Sequence, residues 1–305
     1  MGNDRRVACV PRNCHRIQCF RHGADLVQLH EQCVADAIGD PFSQDFRVGH
    51  EDIVADELNA IARRRGLFVI EDAAHAVGAE HRGRRIGGGG TAACFSFYPN
   101  KNITTIEGGM LTTDDAEVAE RARILRIHGL SADAWRRFHD PLKFISLQTE
   151  LGFKFNMNDV AAALGITQLR KIERFLRNRE AIAELYDRKL AGRPDVALPP
   201  RAGPGSRHAW HLYVVRLTGG HDRDEILRRL RARGIGAAVH YRPVCCEPFH
   251  ADRESHRPEE RPHVHAVAPQ LMTLPIASGM TTEEAATVVD ELERELDRRP
   301  IGVKA

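Results

Sequence analysis

The fold is decided by residues 67–72, which read LFVIED. The four apolar residues that open this run are typical of a short strand buried on both faces of a parallel sheet. A predicted helix, Asp56–Arg65, comes directly before the strand, and Gly66 separates the two where a glycine often ends a helix. A helix followed at once by a wholly apolar strand predicts an α/β protein with a parallel or mixed sheet.

The next elements continue this pattern along the chain. Two further strands are predicted at Ala92–Phe97 and Gly109–Thr113, and a helix at Ala116–Arg126 closes the block. One long helix is predicted over Asn158–Tyr186, where it crosses between domains. Together these elements predict a large domain over residues 56–175.

The last part of the chain, residues 176–305, has a different order of elements. Strands predicted at His211–Leu217 and Ala237–Tyr241 alternate with helices at Asp224–Arg233 and Thr282–Leu296. This order predicts a small C-terminal α/β domain.

Residues 1–55 resemble neither domain, because they show no sustained periodicity. They are predicted to be an unrelated or poorly ordered segment. A zinc site is the alternative, since five potential ligands lie close together: Cys9, Cys14, His15, Cys19 and His22. Their spacings do not match the paired patterns of structural zinc sites, so no metal is predicted.

Composition excludes several classes of partner. The 305 residues include 44 Lys+Arg against 42 Asp+Glu, so the net charge of +2 gives no reason to expect nucleic acid or an acidic membrane surface. No apolar run is long enough to span a bilayer, and no signal-peptide pattern opens the chain. With 7 cysteines, an odd number, a reduced cytoplasmic setting is predicted.

The acidic end of the first strand is the first candidate for chemistry. Asp72 lies at the carboxyl end of a buried strand, which is where open α/β sheets bind ligands. A buried carboxylate needs a cationic or hydrogen-bonding partner, and a protonated pyridine nitrogen is one. The alternative is that Asp72 caps a helix.

A lysine follows the next strand. Lys101 lies in a polar turn after Cys94–Phe97, where desolvation would lower its pKa and make it a candidate nucleophile. Ser96 could donate its hydroxyl to a phosphate, and the Gly108–Gly109 pair lets the backbone pass close to a bound group. Singly, a solvated lysine and a serine bonded to the backbone are the simpler interpretations, but the combination is more specific.

This combination resembles the DegT/DnrJ family of nucleotide-sugar aminotransferases, which depend on pyridoxal 5'-phosphate (PLP). The resemblance rests on residues 70–78 (IEDAAHAVG), 83–87 (GRRIG) and 94–109 (CFSFYPNKNITTIEGG). It continues in order through similar segments at residues 126–129, 151–159, 208–213 and 234–241, and covers roughly Asp56 to Leu296.

Membership of that family implies the PLP-dependent transferase fold of type I and a role for each matching residue. Lys101 would hold the cofactor as a Schiff base and move the proton in catalysis, and Asp72 would keep the pyridine nitrogen protonated. His75 would lie near the 3-hydroxyl, and Ser96 would bind the phosphate. Residues 152–156, including Asn156, would reach the phosphate of a partner subunit, so a homodimer is implied. Lys154 departs from the pattern, since the family has Asn at this position, but it could still bind phosphate as a point charge.

The resemblance also implies the substrates. Glutamate would donate the amino group to a nucleotide-linked keto sugar, most closely a UDP-4-keto sugar, in cell-surface polysaccharide or antibiotic sugar biosynthesis. His211, His240 and Tyr241 would bind that sugar nucleotide, because rings and donors suit sugar hydroxyls and a diphosphate. Trp210 fits either the same cleft or the core.

One part of the family pattern has no counterpart. Members carry an S-G-T-x-A-L turn that holds the phosphate, and residues 1–55 contain none. The expectation is therefore a truncated large domain. A catalytically inactive remnant, acting if at all as an interaction partner, is the alternative function. A dehydrogenase is a poor alternative, because no G-x-G-x-x-G follows a strand.

Overall fold

The computed structural model describes residues 59–88, 90–130, 148–251 and 261–298, together with the backbone of three short strands nearer the N-terminus. The chain divides into two compact units. The first extends to Ile172 and includes Ala202–Ala209, and the second consists of Glu173–Arg201 and the chain from Trp210 onward. The predicted domain limits at residues 56, 175 and 305 stay a prediction.

The strands are short. In chain order they are β1 (Arg6–Ala8), β2 (Cys19–Phe20), β3 (Leu26–Val27), β4 (Leu67–Asp72), β5 (Glu80–His81), β6 (Arg84–Arg85), β7 (Ala92–Ser96), β8 (Gly109–Thr112), β9 (Val196–Ala197), β10 (Tyr213–Leu217) and β11 (Leu271–Leu274).

The helices follow the same chain order. They are α1 (Ala116–Leu125), α2 (Asp159–Leu169), α3 (Ile172–Leu190), α4 (Arg223–Ala232), α5 (Pro248–Ala251), α6 (Pro262–Val267) and α7 (Thr282–Leu296). Residues 59–65 are also helical. Among the described residues, no helix combines the length and the apolar character needed to cross a membrane.

The first unit is built on a mixed sheet with the strand order β1-β4-β7-β8. Strands β1 and β7 run parallel to β4, whereas β8 runs antiparallel to β7. Gly66, between the first helical residues and β4, has a φ of 61°, the left-handed conformation expected of a glycine that ends a helix. The predicted α/β class with a mixed sheet is confirmed.

Strand β1 was not predicted. It pairs Arg6–Ala8 with the first half of β4 and so adds a strand to the large sheet from within residues 1–55. The side chains of residues 1–55 lie outside the described part of the chain. The expectations of poor order and of no metal site there therefore stay predictions.

The predicted helix over Asn158–Tyr186 is wrong, because the structure has two helices there. Helix α2 ends at Leu169, and α3 begins at Ile172 after a turn in which the Lys171 N–H donates to the Gln168 carbonyl. The turn contains neither glycine nor proline, and the buried Ile172 opens the next helix. Packing rather than local helix propensity therefore places the break.

The second unit has an antiparallel sheet with the order β11-β10-β9. Alternate residues of β10, Tyr213, Val215 and Leu217, are buried, which confirms the predicted half-buried strand. Helices α3, α4 and α7 supply the rest of a continuous core that includes Ile182, Leu230 and Leu292. Helix α7 has the bounds that the sequence predicts, and Thr281 and Glu284 form a reciprocal capping box at its start.

The predicted strand Ala237–Tyr241 is wrong. It is reduced to one bridge, in which Ala238 and Thr273 exchange both backbone hydrogen bonds. Towards Tyr241, the next hydrogen-bonded pair of this ladder would join His240 to Leu271. The Leu271 N–H donates instead to the Ala268 carbonyl, and the Leu271 carbonyl accepts from the Arg223 guanidinium at 2.7 Å. The pairing therefore cannot extend in that direction.

Candidate functional site

The carboxyl edge of the parallel strands in the first unit carries two of the predicted site residues. Asp72 is the last residue of β4, and its neighbour across the parallel register is Cys94 on β7. Ser96 ends β7 two residues further on, so its side chain lies on the same face of the sheet as Cys94 and Asp72. The carboxylate and the hydroxyl thus lie at the ends of neighbouring strands.

Local hydrogen bonds fix both groups. The Asp72 carboxylate accepts from the Ala74 N–H at 3.1 Å and so shapes the turn that follows β4. His75 comes next in this turn, and its Nδ1 atom is buried. The Ser96 hydroxyl oxygen accepts from the Tyr98 N–H at 3.4 Å, so the serine also organises the turn that leads to Lys101.

The thiol beside Asp72 has an altered pKa. Desolvation raises the pKa of Cys94 above its ordinary value, and the negative charge of Asp72 raises it further. The thiol therefore stays protonated at neutral pH and adds no second negative charge beside Asp72.

The loop that carries Lys101 is held by backbone and side-chain bonds. The Lys101 N–H donates to the Tyr98 carbonyl at 3.0 Å. Next to it, the buried Asn102 side chain donates to the Ala209 carbonyl at 2.6 Å. The Thr105 N–H donates to the Phe97 carbonyl at 3.0 Å, and Thr105 is also buried. These bonds fix the backbone on both sides of the lysine.

Asn102 and Thr105 were missed by the sequence analysis. Both are polar residues that closely follow Lys101, but such residues in a turn are usually solvated, so nothing in the sequence indicates that they are buried. Only the contact with Ala209, far along the chain, shows that Asn102 is buried.

The end of this loop can be formed only by glycine. A Cβ atom on Gly108, whose φ is 154°, would lie 2.3 Å from the Thr105 hydroxyl oxygen, and one on Gly109 would lie 2.6 Å from the Phe95 carbonyl oxygen. Ile106, a β-branched residue two positions before Gly108, has a φ of 71°. Such a backbone costs on the order of 1–3 kcal/mol and persists only where the surroundings impose it.

Residues 152–156 run antiparallel to the end of α1 and the residues after it. The Phe153 N–H donates to the Leu125 carbonyl at 2.7 Å, and Lys154 forms a β-bridge with Ile127. Lys154 is exposed and Asn156 is half-buried. The terminal methyl carbon of Met157, the next residue, lies 3.0 Å from the place that a Cβ atom on Gly108 would occupy. The segment therefore passes beside the loop that carries Lys101.

A run of exposed apolar side chains follows along the same part of the chain. Phe153 and Phe155 stack with ring centroids 4.9 Å apart, and Phe155 is 73% exposed. Helix α2 is largely apolar, yet none of its residues is buried. We call this set the open apolar surface, and its members are Leu151, Phe153, Phe155, Val160, Ile166 and Leu169.

The remaining predicted residues, His211, His240 and Tyr241, belong to the second unit. His211 is only 5% exposed, whereas Tyr241 is 63% exposed and lies edge-on to the His240 ring. Whether these residues converge with Asp72 and Lys101 stays a prediction. Trp210 is a core residue, because its ring is buried and its indole N–H donates to Glu180 at 2.6 Å.

The chain was compared with protein families and known proteins. The model of the DegT/DnrJ/EryC1/StrS aminotransferase family matches residues 50–293. The uncharacterized protein MJ1066 of Methanocaldococcus jannaschii is 38% identical over 78% of this chain and 62% of its own length. The spore coat polysaccharide biosynthesis protein SpsC of Bacillus subtilis is 36% identical over 77% of this chain and 61% of its own length.

Solved structures agree with these sequence matches. DesV of S. venezuelae superposes with a TM-score of 0.70 and 34% identity, covering 82% of this chain and 64% of DesV. Spr1654 of Streptococcus pneumoniae in its PLP form gives a TM-score of 0.69 and 25% identity over 79% of this chain and 64% of Spr1654. The chain thus spans less than two thirds of the length of these relatives.

Proposed function

The chain belongs to the DegT/DnrJ/EryC1/StrS aminotransferase family, and we propose that it is a PLP-dependent sugar aminotransferase. In this proposal it moves an amino group from glutamate to a keto sugar attached to a nucleotide, with a UDP-4-keto sugar as the preferred acceptor. One observation carries the proposal: Asp72 and Ser96 end neighbouring parallel strands, and Lys101 lies in the anchored loop that follows.

The side chains at this edge fit the chemical groups of PLP. A carboxylate suits a protonated pyridine nitrogen, a hydroxyl suits a phosphate, and a primary amine suits an aldehyde. In our proposal Asp72, Ser96 and Lys101 supply these three groups, and His75 lies near the 3-hydroxyl. When bound, PLP supplies an electron sink for the carbon that gains or loses a proton.

The structure supports a distinct role for each residue. The charge of Asp72 favours the protonated form of a ring nitrogen beside it, because an opposite charge at close range stabilises an ion in a partly buried site. Lys101 would hold the cofactor through Nζ and would afterwards move a proton at that same atom. Fixing its backbone through Asn102 and Thr105 limits the positions that the amine can take.

We propose that the active form is a homodimer. Monomeric proteins rarely leave a contiguous set of large apolar side chains uncovered, and in this chain the open apolar surface includes Val160 at 80% exposure. Lys154 and Asn156 lie within the same stretch. If a second copy covers this surface, Lys154 of one copy would offer a positive charge to the cofactor phosphate bound by the other, and Asn156 would offer a hydrogen-bond donor.

For the sugar nucleotide we propose contacts from the second unit. Tyr241 presents most of its side chain to solvent, and His240 lies against it, so both can offer donors to a sugar or a diphosphate. His211 belongs to the same proposed set, although its ring nitrogens are buried. We propose the cytosol as the compartment, since Cys94, Cys245 and Cys246 are free thiols.

The open apolar surface also supports a second candidate function. A chain of this family that binds no cofactor would still offer that surface to another protein, and would act as an interaction partner rather than an enzyme. The two functions differ in whether Lys101 is needed.

Absorption spectroscopy and an amino-transfer assay distinguish them. PLP added to the purified protein should give an absorption band that is absent in Lys101→Ala and retained in Lys171→Ala, which removes an exposed lysine in the turn after α2. With glutamate and a UDP-4-keto sugar, the unmodified chain should then form 2-oxoglutarate. A folded protein that shows neither the band nor the product would contradict the proposed enzyme and leave the interaction function.

A further inference from the structure

The second unit contains a cluster of three potential metal ligands that the proposed cofactor site does not use. Cys245 and Cys246 lie in a 3₁₀ turn, Val244–Cys246, and His265 lies in helix α6. One ligand atom from each residue lies within 4.8 Å of the other two. Within the described part of the chain this is the one group of its kind.

The distances are close to those of a zinc site. The two sulfur atoms are 3.9 Å apart, and the Cys246 sulfur is 4.0 Å from His265 Nδ1. Zinc–sulfur bonds of about 2.3 Å in tetrahedral geometry separate two sulfurs by roughly 3.8 Å. The sulfurs therefore need almost no movement. The imidazole needs to approach the Cys246 sulfur by a few tenths of an ångström and the Cys245 sulfur by at most about 1.2 Å.

The oxidation state of the cysteines and the orientation of the histidine also suit a metal. Both cysteines are free thiols, so neither is consumed by a disulfide. The Nδ1 atom of His265, rather than Nε2, faces the Cys246 sulfur. Nδ1 is thus the nitrogen available to a metal held by the two sulfurs.

We propose that Cys245, Cys246 and His265 bind one zinc ion. Three protein ligands leave the fourth tetrahedral position to water or to an external ligand, as in zinc sites with two cysteines and one histidine. Binding converts both thiols to thiolates and releases two protons, while the imidazole binds in its neutral form. The ion would therefore link the turn Val244–Cys246 to helix α6 and cross-link Cys246 to His265.

Cobalt(II) is the probe for this site, because it takes the same ligands as zinc and reports them by colour. The titration uses reduced full-length protein in which Cys9, Cys14, Cys19 and Cys33 are replaced by serine, so the thiols near the N-terminus cannot contribute. We expect one equivalent of Co²⁺ to give a thiolate-to-metal charge-transfer band and the visible bands of tetrahedral cobalt. One equivalent of Zn²⁺ should then displace it.

Variants locate the site. The double variant Cys245→Ser, Cys246→Ser should lose the charge-transfer band. His265→Asn should weaken Co²⁺ binding by at least about tenfold while circular dichroism stays unchanged. Cys94→Ser, which removes the free thiol of the first unit, should bind Co²⁺ as the parent does.

Three results would overturn the proposal. The first is the absence of a charge-transfer band in the parent protein. The second is an unchanged band in a folded double-cysteine variant, and the third is loss of the band in Cys94→Ser. None of these measurements depends on PLP or on amino transfer, so they stand apart from the test of the proposed function.

Discussion

The two units of the molecule differ in how they bury their apolar residues. In the second unit a continuous core joins α3, α4 and α7 to the sheet and includes Trp210 and Leu292. In the first unit one cluster of buried residues consists of three alanines, Ala73, Ala76 and Ala93, while α2 has no buried residue. Among the described residues, the second unit has a large closed core, although Phe249 and Val264 outside it are exposed, whereas α2 in the first unit leaves all of its apolar side chains at least partly exposed.

This difference separates two functions of apolar residues. A closed core supplies most of the stability of a domain, while exposed apolar residues grouped on one element are typical of an interface. We therefore expect substitutions in the second unit to change the free energy of unfolding, and substitutions on the open apolar surface to change association.

The largest effect is expected in the core of the second unit. Leu292→Ala removes a fully buried side chain and should lower the free energy of unfolding of that unit by about 2–5 kcal/mol. Unfolding in urea measures this loss. Val160→Ala, in the first unit, should leave the urea transition of the second unit unchanged. Equal shifts for the two variants would show that the units do not differ as described.

The second-largest effect on stability is expected at a buried arginine in the second unit. The Arg179 guanidinium is buried and donates to the carbonyls of Trp210 at 2.8 Å and Ile276 at 3.1 Å. Burial lowers its pKa to about 10, so it stays charged at neutral pH. Arg179→Met should cost about 3 kcal/mol of stability, because buried carbonyls lose their donor.

The control for this variant lies on the same helix. Arg188→Met removes an exposed guanidinium and should change the stability by less than about 0.5 kcal/mol. Chemical denaturation of both variants makes the comparison, and a similar loss in each would contradict the structural role of Arg179.

The third prediction tests the open apolar surface. Val160→Asp places a charge among exposed apolar side chains, so it should weaken self-association by about 10–100-fold, given what burial of one such side chain contributes. Analytical ultracentrifugation measures this change, and the urea transition of the second unit should not move. Unaltered association would remove the support that this surface gives to a homodimer.

The smallest effect depends on pH. Hydrogen bonds from Arg193 are the main cause that lowers the pKa of Asp195 to about 2, and His221 contributes at 2.9 Å. The unfolded chain titrates this group near its ordinary value of about 3.9, so the stabilisation is complete above that pH and is lost as pH falls towards 2. Asp195→Asn should therefore cost about 1–2 kcal/mol at pH 7.

The pH series contains its own control. Between pH 4 and 2 the parent protein should lose more stability than Asp195→Asn, since the variant has no carboxylate to protonate. Parallel pH profiles for the two proteins would contradict the ion pair.

The elements that were predicted with nearly correct bounds are those whose signals are local. The apolar run of β4, the glycine at position 66 and the cap at Thr281 each act within a few residues of the chain. The positions of Asp72 and Ser96 at strand ends, and of Lys101 in the next loop, could also be predicted, because each depends on where a nearby apolar strand stops.

The features that were missed depend on distant partners. The break at Arg170–Lys171 has no local helix breaker. The pairing near Ala238 ends because Leu271, the next partner in the ladder, bonds to Ala268 and Arg223 instead. In the same way, only folding brings His265 to Cys245 and Cys246. Sequence periodicity does not register contacts of this kind.

The most direct test of the account is to identify the lysine that holds the cofactor. The chain has six lysines, so reduction with borohydride after addition of PLP, followed by peptide mass spectrometry, can assign a single site. We predict a phosphopyridoxyl group on Lys101 and none on Lys154 or Lys171. Labelling of a different lysine, or no labelling of a folded protein, would contradict the placement of the cofactor in the first unit.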